Sequence, residues 1–221
     1  MTQVKPKVNY QVKMEQLLGT LPKERVPVLF LHACCAPCSS FVLQTLSRYF
    51  SIRLFFYNPN ISPEEEYLHR LRELRRLISE MPLQNDVCVI DGEYNSDEFF
   101  DLAKGLEKEP ERGERCQKCI AMRLEETVKK AALEGADFVT TTLSISPHKD
   151  AAFINEKGAA LCERYGVPWL YSDFKKKGGY LKSIELSREY SLYRQDFCGC
   201  VYSKAARMRE KAAQPSENNP H

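Results

Sequence analysis

Short apolar runs alternate with longer amphipathic segments along the chain. The apolar runs are rich in valine, isoleucine, phenylalanine and tyrosine, which favour strands. Their apolar character is nearly continuous, as expected of strands buried on both faces of a parallel sheet. We predict five strands, in the runs VPVLFLHA (26–33), SIRLFFYN (51–58), DVCVI (86–90), DFVTTTL (137–143) and VPWLYSDF (167–174).

The amphipathic segments predict helices between these strands. The clearest is SPEEEYLHRLRELRRLISE (62–80), where Ser62 is the expected N-cap, Pro63 the first helical residue and Glu65 the capping partner. Asn95 and Glu98 predict the start of a short helix after the third strand. Further helices are expected at about 39–49, 116–134, 146–166, 181–193 and 201–213.

The alternation of strands and helices predicts an α/β protein, with a single-domain Rossmann-like three-layer fold, a mostly parallel sheet and C-terminal helices. A chain of 221 residues with 43% hydrophobic content is long enough for one well-buried core. We expect a helical lead-in at 1–25, an α/β domain at 26–213 and a disordered tail at 214–221. There is no signal-peptide pattern and no apolar stretch near the roughly 20 residues that span a bilayer, so we expect a cytoplasmic protein without membrane association.

The nine cysteines concentrate in the motifs CCAPC, CQKC and CGC. In a reducing compartment such clusters indicate metal or redox chemistry. Cys34 and Cys35 end the first predicted strand, where open parallel sheets bind ligands. Cys116 and Cys119 are one helical turn apart, so their sulfurs can face one point. Four thiolates suit either a 4Fe–4S cluster or a closed zinc site, and the spacing leaves both open, with unliganded thiols as the third alternative.

The CGC motif is chemically different from the other two. A disulfide between Cys198 and Cys200 would close a small, strained ring that is easily reduced, so the pair can store two electrons. The alternative is that both are further metal ligands. Cys38 is either another ligand or a helical thiol. Ordinary core packing is expected for the two isolated cysteines, Cys88 and Cys162.

Charge and the remaining motifs restrict the function further. The net charge is +2, but lysine and arginine outnumber the acids between Lys175 and Lys211. This basic stretch is either a solvated helix face or a surface for polyphosphate or nucleic acid. The sequence lacks GxGxxG and GxxxxGK[ST], so a nucleotide-dependent dehydrogenase or an NTPase is unsupported. His32 and His148 are candidate pocket residues.

Several long motifs, in order, resemble one known family. CCAPC, FYNPNI, CQKCIAMRLEETVKKAALEGADFVTTTLSISPHKD and SDFKKKGGYLKSIELSREYSLYRQDFCGCVYS are closely similar to the QueH-type epoxyqueuosine reductases. The resemblance covers about 28–203. It implies the last step of queuosine biosynthesis, in which the epoxide of a modified guanosine at the tRNA wobble position is removed without cobalamin.

By position, the resemblance places the family's 4Fe–4S ligands on Cys34, Cys35, Cys116 and Cys119, and its redox-active pair on Cys198 and Cys200. It also allows an additional iron beside the cluster, and whether Cys38 or a nearby carboxylate binds that iron stays open. Removal of an epoxide oxygen needs two electrons and two protons, so an external electron donor is expected. Three candidates for the general acid stand in the matched motifs, each with helix capping or a surface salt bridge as the alternative role: Asp150, Asp173 and Asp196.

A tRNA substrate gives the C-terminal basic stretch a role. Basic side chains there can contact anticodon-loop phosphates, and tyrosines can stack on an exposed base. The predicted contacts are Lys175, Lys176, Lys177, Tyr180, Arg188, Tyr193 and Arg194.

Two other classes of protein remain as alternatives. A zinc-stabilised, non-enzymatic RNA-binding domain would be colourless and would keep its RNA affinity without Cys198 and Cys200. A general thiol–disulfide oxidoreductase would need only the CGC pair, and the CC and CxxC motifs count against it.

Overall fold

The computed structural model of this chain describes residues 8–22 and 24–213. It contains four parallel strands, β1 (Val28–His32), β2 (Ser51–Phe56), β3 (Val87–Asp91) and β4 (Phe138–Thr141), in the order β3-β2-β1-β4. Leu31 pairs with Leu54 of β2 on one side and with Thr140 of β4 on the other. The chain therefore moves outward from β1 to β3 and returns to the other side of β1, which makes a topological switch point between β1 and β4.

Eight α-helices surround the sheet. They are α1 (Tyr10–Gly19), α2 (Ala36–Leu46), α3 (Glu64–Glu80), α4 (Ser96–Ala103), α5 (Glu114–Leu133), α6 (Ala151–Tyr165), α7 (Gly179–Glu189) and α8 (Val201–Ala213) within the described residues. Short 3₁₀ helices follow β4 at Thr142–Ile145 and precede α7 at Lys176–Gly178. The predicted helix in the N-terminal lead-in is present as α1, whereas the predicted disordered tail lies outside the described residues.

Successive residues of the central strands point into two different cores. Leu29 and Leu31 pack with α2, α3 and α7 on one face of the sheet, whereas Phe30 packs with α5 and α6 on the other. Both faces are covered, which explains why the strand is apolar at consecutive positions. The predicted three-layer α/β fold with a parallel sheet is confirmed.

The prediction of a fifth strand at 167–174 is wrong, because this segment does not form a strand. Only Trp169 forms a bridge, to Val139 of β4, flanked by hydrogen bonds from Val139 N to Pro168 O (2.9 Å) and from Leu170 N to Val139 O (2.8 Å). Beyond it, the backbone N–H of Ser172 donates to the Asn155 side chain at 2.9 Å. The segment thus leaves the sheet because its backbone is held by α6.

The predicted cap of the long helix is also wrong. Helix α3 begins at Glu64, with Pro63 in the cap position and without a side-chain capping bond. The backbone N–H of Ser62 instead donates to the carbonyl of Gly199 at 3.0 Å. Ser62 therefore holds the CGC segment against the body. Asn95 does cap α4 as predicted, by accepting from the N–H of Asp97 at 3.1 Å.

Gly158 of α6 provides a test of how closely this helix packs. A Cβ at this position would lie 2.4 Å from the indole of Trp169, the single tryptophan. We expect Gly158→Ala to lower the free energy of unfolding by about 1–3 kcal/mol, the usual cost of overpacking. Urea unfolding followed by tryptophan fluorescence measures this, with Gly19→Ala as the control because a Cβ there meets nothing within 4 Å. Equal midpoints for the two variants would contradict the packing described.

No helix within the described ranges, 8–22 and 24–213, has the length and apolar character required to cross a membrane.

Candidate metal and redox site

The first cysteine cluster lies at the switch point of the sheet. Cys34 follows β1, and its backbone N–H and Sγ lie 3.4 and 3.5 Å from the hydroxyl of Thr142, which follows β4. Cys35 occupies the N-cap position of α2, and Pro37 stands at the start of that helix, where its missing N–H costs nothing. The ends of two neighbouring strands and the start of a helix therefore fix the position of this cluster.

Three sulfurs come together in this cluster. The Sγ atoms of Cys34, Cys35 and Cys38 all lie within 4.8 Å of one another, and those of Cys34 and Cys35 are 3.9 Å apart. Hydrogen bonds from Cys34 and Cys38 hold the pKa of Cys35 well below its usual value, while the same interactions raise the pKa values of Cys34 and Cys38. All three are free thiols, so the triad is able to hold a metal.

A second group of cysteines lines a small cavity of about 20 Å³, which we call the cysteine cavity. Cys116 and Cys119 come from the first turns of α5, and Cys198 and Cys200 from the CGC segment. Burial raises the pKa of Cys119 to about 11. The sequence predicts that Cys116 and Cys119 join Cys34 and Cys35, and the structure places them around this cavity with the CGC pair. The sulfurs within 4.8 Å of one another are those of Cys34, Cys35 and Cys38, so the predicted set of four stays a prediction.

Arg123 of α5 connects the two groups electrostatically. Its side chain is only 2% exposed, yet it keeps a cationic guanidinium. Burial alone would lower the pKa of Arg123, but the sulfurs of Cys119, Cys198, Cys34 and Cys116 outweigh it and raise that pKa.

The hydrogen bonds of Arg123 leave one nitrogen unused. Its Nε donates to the carbonyl of Cys119 at 3.2 Å and its Nη1 to Asn58 Oδ1 at 3.3 Å, while Nη2 has no partner among the described residues. A buried cation with a free donor fits an anionic group among the thiols, such as a thiolate-bound metal cluster. Sequence analysis missed Arg123, although it follows Cys119 by four residues and so shares its helix face.

Lys149 was also missed by sequence analysis. Its Nζ lies 3.3 Å from Cys198 Sγ, and it reaches the site because it immediately precedes the N-cap of α6. Burial would raise the pKa of Cys198, but the Lys149 ammonium and the Arg123 guanidinium outweigh it and hold that pKa below its usual value. Lys149 stands after the fourth strand, so the rule that ligands bind at strand ends was the available signal.

The CGC segment is anchored by its backbone. Arg70 Nη1 donates to the carbonyl of Cys198 at 3.1 Å, and Ser62 holds the carbonyl of Gly199 as described above. Gly199 has φ +123°, and a Cβ there would lie 2.9 Å from Ile61 Cγ1, so only glycine fits. Cys198 and Cys200 are both free thiols in this structure.

The FYNPNI motif places two buried amides beside the sulfurs. Asn58 Nδ2 donates to the carbonyl of Ala33 at 2.9 Å and so fixes the turn that leads into the first cluster. Asn60 lines the cysteine cavity, and its buried Oδ1 has no partner among the described residues. These amides are further site residues that sequence analysis matched as a motif without giving them roles.

The two histidines differ in position. His32 is fully buried between Thr141 Oγ1 at 2.9 Å and the carbonyl of Tyr57 at 3.1 Å, and burial followed by Arg123 lowers its pKa to about 4. The imidazole is therefore neutral, and it ties β1 to β4 beneath the site. His148 lines a larger cavity of about 320 Å³, which we call the outer cavity.

The predicted general acids are spread apart. Asp150 lies at the rim of the outer cavity and caps α6, with its Oδ1 2.8 Å from the N–H of Ala152. Asp173 is buried and ion-paired with Lys175 at 2.8 Å. Asp196 is exposed on the surface, where its carboxylate pairs with Arg207 at 3.1 Å and with Lys211 at 2.6 Å.

The predicted tRNA contacts lie outside both cavities, as far as the described residues show. Lys177 pairs with Glu15 of α1 at 2.5 Å. The hydroxyl of Tyr193 donates to the Glu66 carboxylate at 3.2 Å, and its ring packs edge-on against His69. The remaining predicted contacts are partly or fully exposed around α7, namely Lys175, Lys176, Tyr180, Arg188 and Arg194.

The two isolated cysteines do not share one environment. The predicted core packing is wrong for Cys88, which is exposed because β3 is an edge strand, and confirmed for Cys162, which is 2% exposed. Burial raises the pKa of Cys162 to about 12. We expect N-ethylmaleimide to modify Cys88 within minutes at neutral pH and to leave Cys162 unmodified in the folded protein, since the thiolate is the nucleophile. Mass spectrometry of tryptic peptides measures both, and equal labelling would contradict the assigned burial.

Comparison with known proteins agrees with these motifs. The family model described as "Epoxyqueuosine reductase QueH" matches residues 29–206. The chain is 40% identical over 206 residues to the epoxyqueuosine reductase QueH of Streptococcus pyogenes serotype M1, covering 92% of this chain and 80% of that protein. It is 35% identical over 196 residues to the protein of the same name from Thermotoga maritima, covering 87% and 98% of the two chains. The chain therefore belongs to the epoxyqueuosine reductase QueH family.

Proposed function

We propose that this protein is an oxidoreductase that reduces epoxyqueuosine to queuosine at the wobble position of tRNA. Membership of the QueH family supports this activity. The observation that carries it in the structure is the meeting of Cys116, Cys119, Cys198 and Cys200 around one cavity, beside the triad at the switch point. A site of this kind combines metal-binding thiols with a dithiol that can change its oxidation state.

In this proposal a 4Fe–4S cluster is held by Cys34, Cys35, Cys116 and Cys119. The donor set fits such a cluster because it is all thiol, with Cys35 and Cys119 buried, and because Nη2 of Arg123, which has no partner among the described residues, offers a hydrogen bond to an anionic group. Cys38 is left to bind an additional iron, as its sulfur lies within 4.8 Å of two proposed cluster ligands. When bound, these groups supply electrons one at a time and a Lewis acid for the epoxide oxygen.

The CGC pair can supply the electrons and protons that the reduction requires. Removal of the epoxide oxygen breaks two C–O bonds, forms a C=C bond and releases water, which takes two electrons and two protons. Oxidation of the Cys198 and Cys200 dithiol to a disulfide gives two electrons and two protons. Lys149, 3.3 Å from Cys198 Sγ, stabilises the thiolate form of that residue, and its ammonium then supplies the second proton in place of the Cys198 thiol. An external donor then returns the disulfide to the dithiol.

The partner in this proposal is a tRNA carrying epoxyqueuosine in its anticodon loop, which places the protein in the cytoplasm. The exposed basic residues around α7 are suited to phosphates away from the reacting base. The zinc-stabilised binding domain and the general thiol–disulfide oxidoreductase have no observation in their favour beyond those that also fit the reductase.

Genetic complementation tests the proposed function. A bacterial strain without its own epoxyqueuosine reductase accumulates epoxyqueuosine in tRNA, and expression of this chain is expected to convert it to queuosine. Nucleoside mass spectrometry of bulk tRNA gives the readout. Persistence of epoxyqueuosine while the protein accumulates in the cells would refute the proposal.

The lysine triplet before α7 allows a test of the tRNA surface. Changing Lys175, Lys176 and Lys177 together to alanine is expected to weaken tRNA binding. It is also expected to reduce the steepness with which log K falls against log [salt] by about 2, at roughly 0.7 for each lost phosphate contact. Filter binding at several salt concentrations measures the slope. A triple alanine variant at Lys104, Lys129 and Lys130 is the control. An unchanged slope would remove the triplet from the interface.

A further inference from the structure

The outer cavity borders the cysteine cavity. The two share Cys116 and Lys149 as lining residues, so a molecule in the outer cavity would reach toward the sulfurs. The outer cavity lies where the segment before α5 meets the starts of α5 and α6. None of the roles assigned above uses this space.

Size separates the two cavities. The cysteine cavity, at about 20 Å³, has room for one or two water molecules, at roughly 10–15 Å³ for each. The outer cavity, at about 320 Å³, falls within the range of about 300–1,000 Å³ that small-molecule sites occupy. Of these two cavities, the outer one therefore has room for a nucleoside, and the cysteine cavity has room only for a narrow side arm.

The lining of the outer cavity is divided into an apolar and a basic part. Ile120 and Phe153 provide the apolar surface, and the ring of Phe153 is partly exposed. The basic part contains Arg112, His148 and Lys149. Asp150 is the acidic residue at the rim, and its Oδ1 is already occupied by the backbone N–H groups of Ala152 and Phe153 at 2.8 and 3.3 Å.

Arg112 is held at the mouth of this cavity in an unusual backbone conformation. Its φ is +72°, a left-handed value that few non-glycine residues adopt, and its side chain is exposed. Nη2 of Arg112 lies 3.3 Å from the carbonyl of Pro147 and 3.4 Å from His148 Nδ1. These contacts use one guanidinium nitrogen and leave the others directed to solvent, where they can meet a phosphate.

Resting on the proposed function, we propose that the outer cavity binds the wobble nucleotide itself, flipped out of the anticodon loop. The base packs on Phe153 and Ile120, the adjacent phosphate binds Arg112, and the epoxide-bearing arm passes between Cys116 and Lys149 to Cys198. Flipping a base into a pocket lined by an aromatic ring is the usual way for an enzyme to reach one nucleotide. Arg112 and Phe153 are thus substrate-positioning residues.

The test uses the cluster-loaded protein and tRNA carrying epoxyqueuosine. Phe153→Ala is expected to lower kcat/KM by about 10- to 100-fold, the scale of a lost base–aromatic stack. Arg112→Gln is expected to raise KM about 10-fold with kcat within twofold, and to lower the salt slope of tRNA binding by about 0.7, the value for one phosphate. Arg112→Lys is expected to restore the slope because it restores the charge.

Two kinds of control variant separate a loss of tRNA binding from a loss of folding. Arg112→Gly suits the left-handed backbone, so its fold is retained, and it is expected to behave like Arg112→Gln. Arg48→Gln and Tyr49→Ala change exposed residues away from both cavities and are expected to match the wild type. If the wild type converts the tRNA and the Arg112 and Phe153 variants match these controls, the pocket assignment is overturned and the proposed function stands. If the wild type itself converts no tRNA, the proposed function fails.

Discussion

Replacing Cys198 or Cys200 by serine is expected to lower the rate of epoxyqueuosine reduction by about 1,000-fold or more, while tRNA binding stays within about twofold. The expected fall in rate is large because Cys198 and Cys200 act together as one redox pair. Loss of either thiol disables the pair, since the remaining thiol cannot replace the lost one. Serine keeps the shape of the CGC segment, since the segment is anchored through the carbonyls of Cys198 and Gly199. Single-turnover assays with chemically reduced protein measure the rate.

The matched control for these variants is Cys88→Ser, which changes an exposed cysteine of β3. It is expected to retain the full wild-type rate. If Cys198→Ser and Cys200→Ser kept activity within tenfold of this control, the two electrons would not pass through the CGC pair. The proposed balance of the reaction would then be incorrect.

Replacing Cys116 by alanine is expected to remove the 4Fe–4S cluster and, with it, the reductase activity. Anaerobically purified wild type should be brown and carry at least about four irons and four sulfides per chain, and Cys116→Ala should lose most of both. The side chain of Cys116 is only partly buried, so the variant is expected to fold. Iron and sulfide analysis with an optical spectrum measures the change.

Cys38→Ala separates the cluster from the additional iron. It is expected to keep the brown colour and the four sulfides while losing at most one iron, because Cys38 is not among the proposed cluster ligands. A colourless Cys38→Ala protein would show that Cys38 is a cluster ligand. Colourless wild-type protein with one zinc would instead point to the binding-domain alternative.

Local sequence patterns were sufficient for four of the five predicted strands and for part of the site. β1 and β2 stand within their apolar runs, and the end of β1 places Cys34 and Cys35 where a parallel sheet binds ligands. The one-turn spacing of Cys116 and Cys119 correctly predicted two sulfurs on one face, since the helical period is a local property.

The rest of the site depends on contacts between distant segments. Lys149 reaches Cys198 only because α6 starts beside the CGC segment, and no spacing in the sequence encodes that approach. The exposure of Cys88 follows from the place of β3 at the sheet edge, which the order of strands decides. Asp196 looked like a site residue beside CGC, but α8 folds back and draws it into surface ion pairs.

Removal of the epoxide oxygen from epoxyqueuosine in tRNA is the activity proposed for this chain. The most direct measurement is anaerobic incubation of cluster-loaded protein with a chemical reductant and tRNA carrying epoxyqueuosine, followed by nucleoside mass spectrometry. The expected product is a nucleoside that has lost one oxygen atom and coincides with queuosine. Unchanged epoxyqueuosine in the presence of fully loaded, reduced protein would contradict it.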